Sequence, residues 1–437
     1  MRHHPVGRIM VTVVVAIGAC ETATAPEPLN GRLTASDVWS GGEALVVSAA
    51  FLPPALPVAR IAAETLAVRR VDDSTVAARL PHGNGPGVLT VELPGFAPFT
   101  TIIRLRGFRT AEDGPFLTGF LQRLPTPPLV LGAGDPGLVE VDVRTGAVAR
   151  QWPDTVHSPD CTWGVGPSVR SGGYVLFGKT AGGTCSHPWL WTYGPQLTRV
   201  DSLYALVDTW AIGEVGPGGA VFGSDDHLHI SQCTGTGCAD RLYSNLGGSL
   251  TGITVGSVAK RAVLHHWNAL VADAEAGDTL YRIPYTQAGY RTEGAAFSAG
   301  EDTLYAVGQV GGSVGASEVM AVAAANGAYL GGAIFPGSGT WAFDVARDPV
   351  RHWLYVATLV GSGATNVVPA VVVLDQGTLA PIAELRAPTS EALSLIVWHQ
   401  FRLVPDPSQA AVYMVATKQA YDLHGERARI FRFDLIP

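Results

Sequence analysis

Charge is scarce in this chain of 437 residues: Asp, Glu, Lys and Arg fill only 15% of positions, against roughly 25% in soluble domains. Lysine is nearly missing, with Lys179, Lys260 and Lys418 the three examples among 29 basic residues. The net charge is −8 and no cluster holds more than two basic residues. Binding nucleic acid takes a basic stripe that displaces counterions from phosphates, so that class of partner is excluded. Long apolar runs are missing as well. Beyond the N-terminus such runs as Val367 to Leu374, eight residues including a proline, fall far short of the roughly 18 that a membrane-spanning helix needs. No nucleophile elbow (G-x-S-x-G), H-E-x-x-H, P-loop or dinucleotide fingerprint occurs in the strand–helix setting that would let it act. Disorder, collagen, coiled coil and a polytopic membrane protein do not fit a chain that is 47% hydrophobic with 52 Gly and 30 Pro.

The first residues of the chain set a compartment. Arg2 and Arg8 precede an eleven-residue apolar stretch, Ile9 to Ala19, the right length for a secretory signal. It ends in Ile17-Gly18-Ala19-Cys20. This stretch resembles the lipobox of bacterial lipoproteins, in which small residues precede a cysteine that is acylated and becomes the new N-terminus. The resemblance implies removal of residues 1–19, lipidation of Cys20 and a Pro/Thr/Ala tether over 20–29. It also implies an exported, lipid-anchored protein at the outer membrane or cell surface, touching the membrane through its acyl chains. In such an oxidising compartment Cys161, Cys185, Cys233 and Cys238 are expected in disulfides. Three pairings exist, of which proximity favours Cys161–Cys185 and Cys233–Cys238; a zinc site is the alternative, though paired C-x₂₋₄-C spacing is lacking.

Two patterns follow, and together they predict an all-β chain. Over 30–107, short apolar segments (Leu45-Val46-Val47, Leu66-Ala67-Val68, Thr75 to Ala78, Val88 to Val91) alternate with Gly, Pro and Asp turns. Ser40-Gly41-Gly42-Glu43 before a strand ending in Phe51, Val71 to Val76 before Leu80-Pro81, and Gly87 to Val91 resemble the immunoglobulin-like IPT/TIG family. That likeness implies an Ig-like β-sandwich acting as a spacer or adhesion module.

Over 110–437 a repeat takes over. Anchored on Val130, Tyr174, Val221, Val263, Tyr305, Tyr355 and Tyr413, apolar strands recur every 42 to 58 residues. Several are trailed by a hairpin with an Asp/Asn-Gly turn, at Val141 to Val148, Ala323 to Tyr329 and Val373 to Leu379. Four strands in about 45 residues are one blade of a β-propeller, and the 328 residues of this part suit seven blades best. Ile430-Phe431-Arg432-Phe433 is expected to close the ring with an early strand. The phrasing of Leu354 to Thr378 resembles YVTN-type propellers.

In a propeller the loops joining the second and third strands of each blade, and those between blades, converge on one face. The repeat register sends Lys179, His187, Asp225, Asp226, His266, Trp267 and His424 there from within blades. His157, Asp160, Trp163 and Trp341 arrive from between blades. His, Asp and Trp hold ligands by stacking and directed hydrogen bonds, although each also serves to cap blade packing. His227 and His229 lie two apart on a strand and so on one side, a weak pattern for a metal. The expected function is non-catalytic binding of a protein, peptide or glycan, with no cofactor. The alternative is an envelope lyase or hydrolase using His and acidic residues at the channel mouth.

Overall fold

A computed structural model describes residues 9–15, 29–33, 37–39, 43–48, 54–81, 85–92, 96–107, 111–116, 118–124, 129–134, 137–153, 161–168, 173–180, 189–193, 199–204, 220–224, 228–234, 237–243, 252–256, 258–265, 270–273, 278–283, 291–309, 316–336, 340–361, 366–394, 398–418 and 427–435. Apart from two 3₁₀ turns, every named element among them is a strand.

The N-terminal strands form two five-stranded sheets. Ala44, Val46, Val76 and Ala78 of one sheet share an apolar cluster with Ala59, Leu89, Val91 and Ile103 of the other. Leu66-Ala67-Val68 is not the single strand that its hydrophobicity suggests. The chain breaks at Ala67, with Glu64–Leu66 in one sheet and Val68–Arg70 in the other. The Ala67 carbonyl accepts a hydrogen bond from Arg79 N at 2.8 Å, so the corner lets one short segment serve both sheets.

From Ala111 onward the described strands form seven successive antiparallel sheets, the blades of a β-propeller. Blade 1 comprises Thr118–Leu124, Leu129–Gly134, Gly137–Asp142 and Val148–Pro153. Blade 2 comprises Cys161–Ser168, Gly173–Thr180, Trp189–Tyr193 and Arg199–Tyr204, and blade 3 has three described strands, Ala220–Ser224, Leu228–Thr234 and Gly237–Tyr243. Blade 4 comprises Gly252–Gly256, Arg261–His265, Leu270–Asp273 and Thr279–Arg282. Blade 5 comprises Arg291–Phe297, Thr303–Gln309, Ala316–Ala323 and Tyr329–Pro336. Blade 6 comprises Thr340–Arg347, Trp353–Val360, Val368–Asp375 and Pro381–Arg386. Blade 7 takes Trp398–Asp406, Ala411–Lys418 and Arg427–Asp434 from the C-terminal end and its outermost strand, Ala111–Phe116, from the start of the repeat. The closure expected from the sequence is therefore present: Ala111 lies opposite Phe431 and Glu112 opposite Ile430.

The anchors chosen from the sequence fall on the second strand of blades 1, 2, 4, 5, 6 and 7 and on the first described strand of blade 3. Their neighbours explain the missing charge. Trp353–Val360 and Val368–Asp375 are each buried over six consecutive residues. A blade packs on both faces, so its middle strands read as continuous apolar runs rather than alternating ones. Clusters fill the seams between blades 4 and 5, 5 and 6, and 6 and 7. The seam between blades 7 and 1 joins Tyr413, Val415 and Ile430 to Val139, Val141 and Val143.

The trailing hairpins are geometrically equivalent. In all three the backbone N–H of the fifth residue bonds the first carbonyl at 2.8 Å: Gly146 to Asp142, Gly327 to Ala323 and Leu379 to Asp375. That fifth residue has φ of 70°, 73° and 56° respectively, left-handed values that glycine adopts at least cost.

Candidate functional site

The first strands of blades 1, 2, 4, 5, 6 and 7 adjoin one another in that order and form the inner ring among the described residues, closed where Thr118–Leu124 meets Trp398–Asp406. Near the starts of three such strands the ladder carries an extra residue, at Glu293, Phe343 and His399. A bulge of this kind bends the strand and re-aims its side chains next to a rim. Phe343 accordingly meets Phe401 of the next blade, with ring centroids 4.7 Å apart and planes tilted by 47°.

Hydrogen bonds tie the inner strands to neighbouring blades below this rim. The Thr254 hydroxyl of blade 4 donates to the Ala295 carbonyl of blade 5 at 3.2 Å. Ala342 N of blade 6 donates to the Ser317 hydroxyl of blade 5 at 2.9 Å. Leu403 N of blade 7 donates to Asp344 Oδ2 of blade 6 at 2.8 Å, and Arg402 Nη1 lies 4.0 Å from Asp344 Oδ1. Asp344 is 2% exposed, so its charge is held by these partners rather than by water. Gly294 of blade 5 permits the approach: a Cβ there would fall 2.7 Å from Asp344 Oδ1. The ring is thus fixed by buried polar links as well as by apolar packing, and the rim above it rests on a stiff frame.

The sequence-predicted residues divide into two groups. Trp163 lies opposite Gly178 and Lys179 opposite Thr162, which puts both at one end of blade 2, where Cys161 lies opposite Thr180. Trp341 lies near the start of the blade 6 inner strand, opposite Leu359, half-buried against the seam with blade 7. His229 lies on the Leu228–Thr234 strand opposite Gly223, and Cys233 lies opposite Cys238. The other group, Cys20, His157, Asp160, Cys185, His187, Asp225, Asp226, His227, His266, Trp267 and His424, lies outside the described residues. Among the described residues no group of three or more His, Cys, Asp or Glu could hold a metal ion.

His265, beside the expected His266-Trp267 pair, sits inside blade 4 at 2% exposure, its Nε2 3.0 Å from Thr254 Oγ1. It is a packing residue of the seam. Sequence reading missed Trp398, which opens the inner strand of blade 7 opposite Lys418. A signal existed: Trp163, Trp210, Trp341 and Trp398 each precede their blade's anchor by 11 to 15 residues. It also missed the link between Glu391 and Arg429, 2.5 Å apart at the passage from blade 6 to blade 7. The Val367–Leu393 bridge pins that passage.

No family model matches the chain, and no curated protein matches it. Among solved structures it is similar to the beta-propeller domain of Cps50 (Swd1) from Myceliophteria thermophila, at 12% identity and a TM-score of 0.48, with 76% of this chain and 100% of that chain covered. It is also similar to a chain of a mitotic checkpoint complex, at 10% identity and a TM-score of 0.49, covering 76% of this chain and 96% of that one. The propeller assignment rests on the order of the sheets and their closure.

Proposed function

We propose that this chain is an envelope lipoprotein whose propeller is a non-catalytic binding module, holding a protein, peptide or glycan on the rim where the inner strands begin. The observation that carries this reading is the register that sets Trp163, Trp341 and Trp398 near the starts of three inner strands at one rim. Tryptophan offers broad apolar area with one polar edge, suited to a recognition surface presented by a rigid ring. His187, His266, Trp267 and His424 belong to the same face on this reading.

The test is site-specific photo-crosslinking in intact cells, with the crosslinker at His187, Trp267 or Trp341 and, as control, at Val350. Val350 is 73% exposed on the turn at the opposite end of blade 6. Discrete crosslinked products at the first three positions and none at Val350 are expected; identical patterns at all four would overturn the face assignment.

The anchor is the second component. In the full chain Ile9–Val15 pairs with Leu29–Leu33 and, in parallel, with Glu43–Ser48. Its β-branched residues suit a strand as well as a signal sequence. Processing before Cys20 removes it, and Leu29–Leu33, whose Arg32 already lies opposite Val47, is left to close on Glu43–Ser48. Mass spectrometry of the mature N-terminus is expected to find a diacylated Cys20. The IPT/TIG-like spacer, the YVTN likeness and the disulfides Cys161–Cys185 and Cys233–Cys238 belong to the same proposal, and peptide mapping without reductant checks the two bonds.

A further inference from the structure

The outermost strands of the blades differ in one respect. An outer strand presents unpaired N–H and C=O groups, and proteins blunt such edges with charge to stop other chains from pairing there. Six of the seven follow that rule, carrying for example Arg150, Asp201, Asp240, Arg282, Glu384 and Glu112 on blades 1, 2, 3, 4, 6 and 7. The outer strand of blade 5, Tyr329–Pro336, has the sequence YLGGAIFP and no charge. Among the described residues no strand pairs beyond it. Instead it exposes apolar surface, with Tyr329 54%, Leu330 57% and Ile334 49% exposed.

Its two central glycines carry different meanings. A Cβ on Gly332 would lie 3.0 Å from Glu318 Oε1, so packing within the blade favours glycine there. A Cβ on Gly331 would meet nothing within 4 Å, and its φ is not among the positive values. Nothing in blade 5 calls for glycine at 331, and glycine inside a strand weakens it. Such a residue often marks a place where another backbone comes close.

We propose that Tyr329–Pro336 is a docking edge that takes an extended, uncharged segment of a partner protein as a fifth strand of blade 5. Main-chain hydrogen bonds would supply affinity, and alternate apolar side chains seated beside Leu330 and Ile334 would supply selectivity. A second copy of this chain is the poorer occupant on two counts. Eight residues span about 27 Å, and a strip about 10 Å wide along both partners amounts to on the order of 500 Å². Two folded copies need about 1,200 Å² or more for a stable interface. Each copy also carries a net charge of −8, so two copies edge to edge repel, whereas a neutral extended segment does not. This surface is separate from the tryptophan rim, so either assignment can fail without the other.

The test uses a phage-displayed library of random dodecapeptides selected on the full chain, with counter-selection on a Leu330→Lys/Ile334→Lys variant. Both positions are about half exposed, and the variant is expected to keep the parent melting temperature. Selected peptides are expected to be uncharged with alternating apolar residues. A synthesised example should lose at least tenfold in affinity for the double-lysine variant and less than twofold for Leu280→Lys, which places a lysine on the outer strand of blade 4. Amide hydrogen exchange should show new protection confined to residues 329–336. Failure to enrich any peptide that discriminates the variant, or protection elsewhere, would overturn the proposal. So would a dimer, seen by sedimentation, that the double-lysine variant dissolves.

Discussion

Ring closure by charge is the feature whose energetics the structure defines best. Arg144, in the last hairpin turn of blade 1, reaches the first turn of blade 7. There its Nε and Nη2 donate to the two carboxylate oxygens of Asp406 at 2.6 and 2.9 Å. Arg144 Nη2 also donates to the Ser408 hydroxyl at 2.8 Å, and Ser408 in turn donates to Asp406 Oδ1 at 2.7 Å. Asp406 is 1% exposed, so replacing Arg144 by Met strands a buried carboxylate. Breaking a fully buried pair costs about 3–5 kcal/mol. The Arg144 side chain is 33% exposed, however, and pairs in water contribute only about 0–1 kcal/mol. An intermediate cost of about 2–3 kcal/mol is expected for Arg144→Met. Asp406→Asn keeps the shape and one acceptor and should cost less, about 1–2 kcal/mol. Once Asp406 is Asn, adding Arg144→Met should cost little more, since the charge that needed a partner has gone.

Urea unfolding followed by tryptophan fluorescence is the assay. Nine of the ten tryptophans lie between Trp152 and Trp398, so the signal follows the propeller rather than the N-terminal sheets. The pH dependence gives an independent check. Burial alone pushes the Asp406 carboxyl up, but the Arg144 and Ser408 hydrogen bonds outweigh it and hold it below the usual carboxylate range. A depressed folded-state pKa gives stability that is fully present above the unfolded value, about 3.9. That stability is lost as pH falls through the folded value. The parent should therefore lose more stability than Asp406→Asn as pH drops below about 4. A cost under about 1 kcal/mol for Arg144→Met, or identical acid profiles for parent and Asp406→Asn, would refute the clamp.

Two further substitutions separate required residues from tolerant ones. Gly327→Ala puts a Cβ 2.4 Å from the Tyr281 ring at a φ of +73°, and should destabilise by about 2–4 kcal/mol from backbone strain and overpacking together. Calorimetric loss of less than about 1 kcal/mol would show that the ring yields freely. In the parent, Tyr281 donates to the Ala324 carbonyl of blade 5 at 2.9 Å, and burial pushes its phenol up to about 12. Asp344→Ala removes the acceptor of Leu403 N between two inner strands and should cost about 2–4 kcal/mol in the same urea assay. Asp344→Asn, which can still accept that bond, should recover part of the loss.

The repeat was legible in the sequence because each blade needs an apolar strand buried on both faces and an Asp/Asn-Gly hairpin at a fixed distance behind it. Those local requirements recur in the chain as a period, and Tyr305, Tyr355 and Tyr413 mark it plainly. The closing strand was legible for a related reason: Ile430 to Phe433 is apolar and β-prone, and a ring must end by pairing with its beginning. The break at Ala67 was not legible, since Leu66 and Val68 are equally apolar and only the two sheets decide which residue serves which.

By itself, then, the sequence determined the all-β class, the blade phase and the strands that close the ring, because burial and turn chemistry act over a few residues. What joins the blades was decided by tertiary structure alone. Arg144 and Asp406 are 262 residues apart, and nothing near either residue announces the other. The same holds for Asp344, an ordinary acidic residue in its strand until Gly294 and Leu403 surround it. It holds for Tyr329–Pro336, which reads like any buried strand and owes its open edge to a place on the outside of the ring. Burial and pairing across a ring depend on which surfaces meet, and that is fixed only when all the blades have closed.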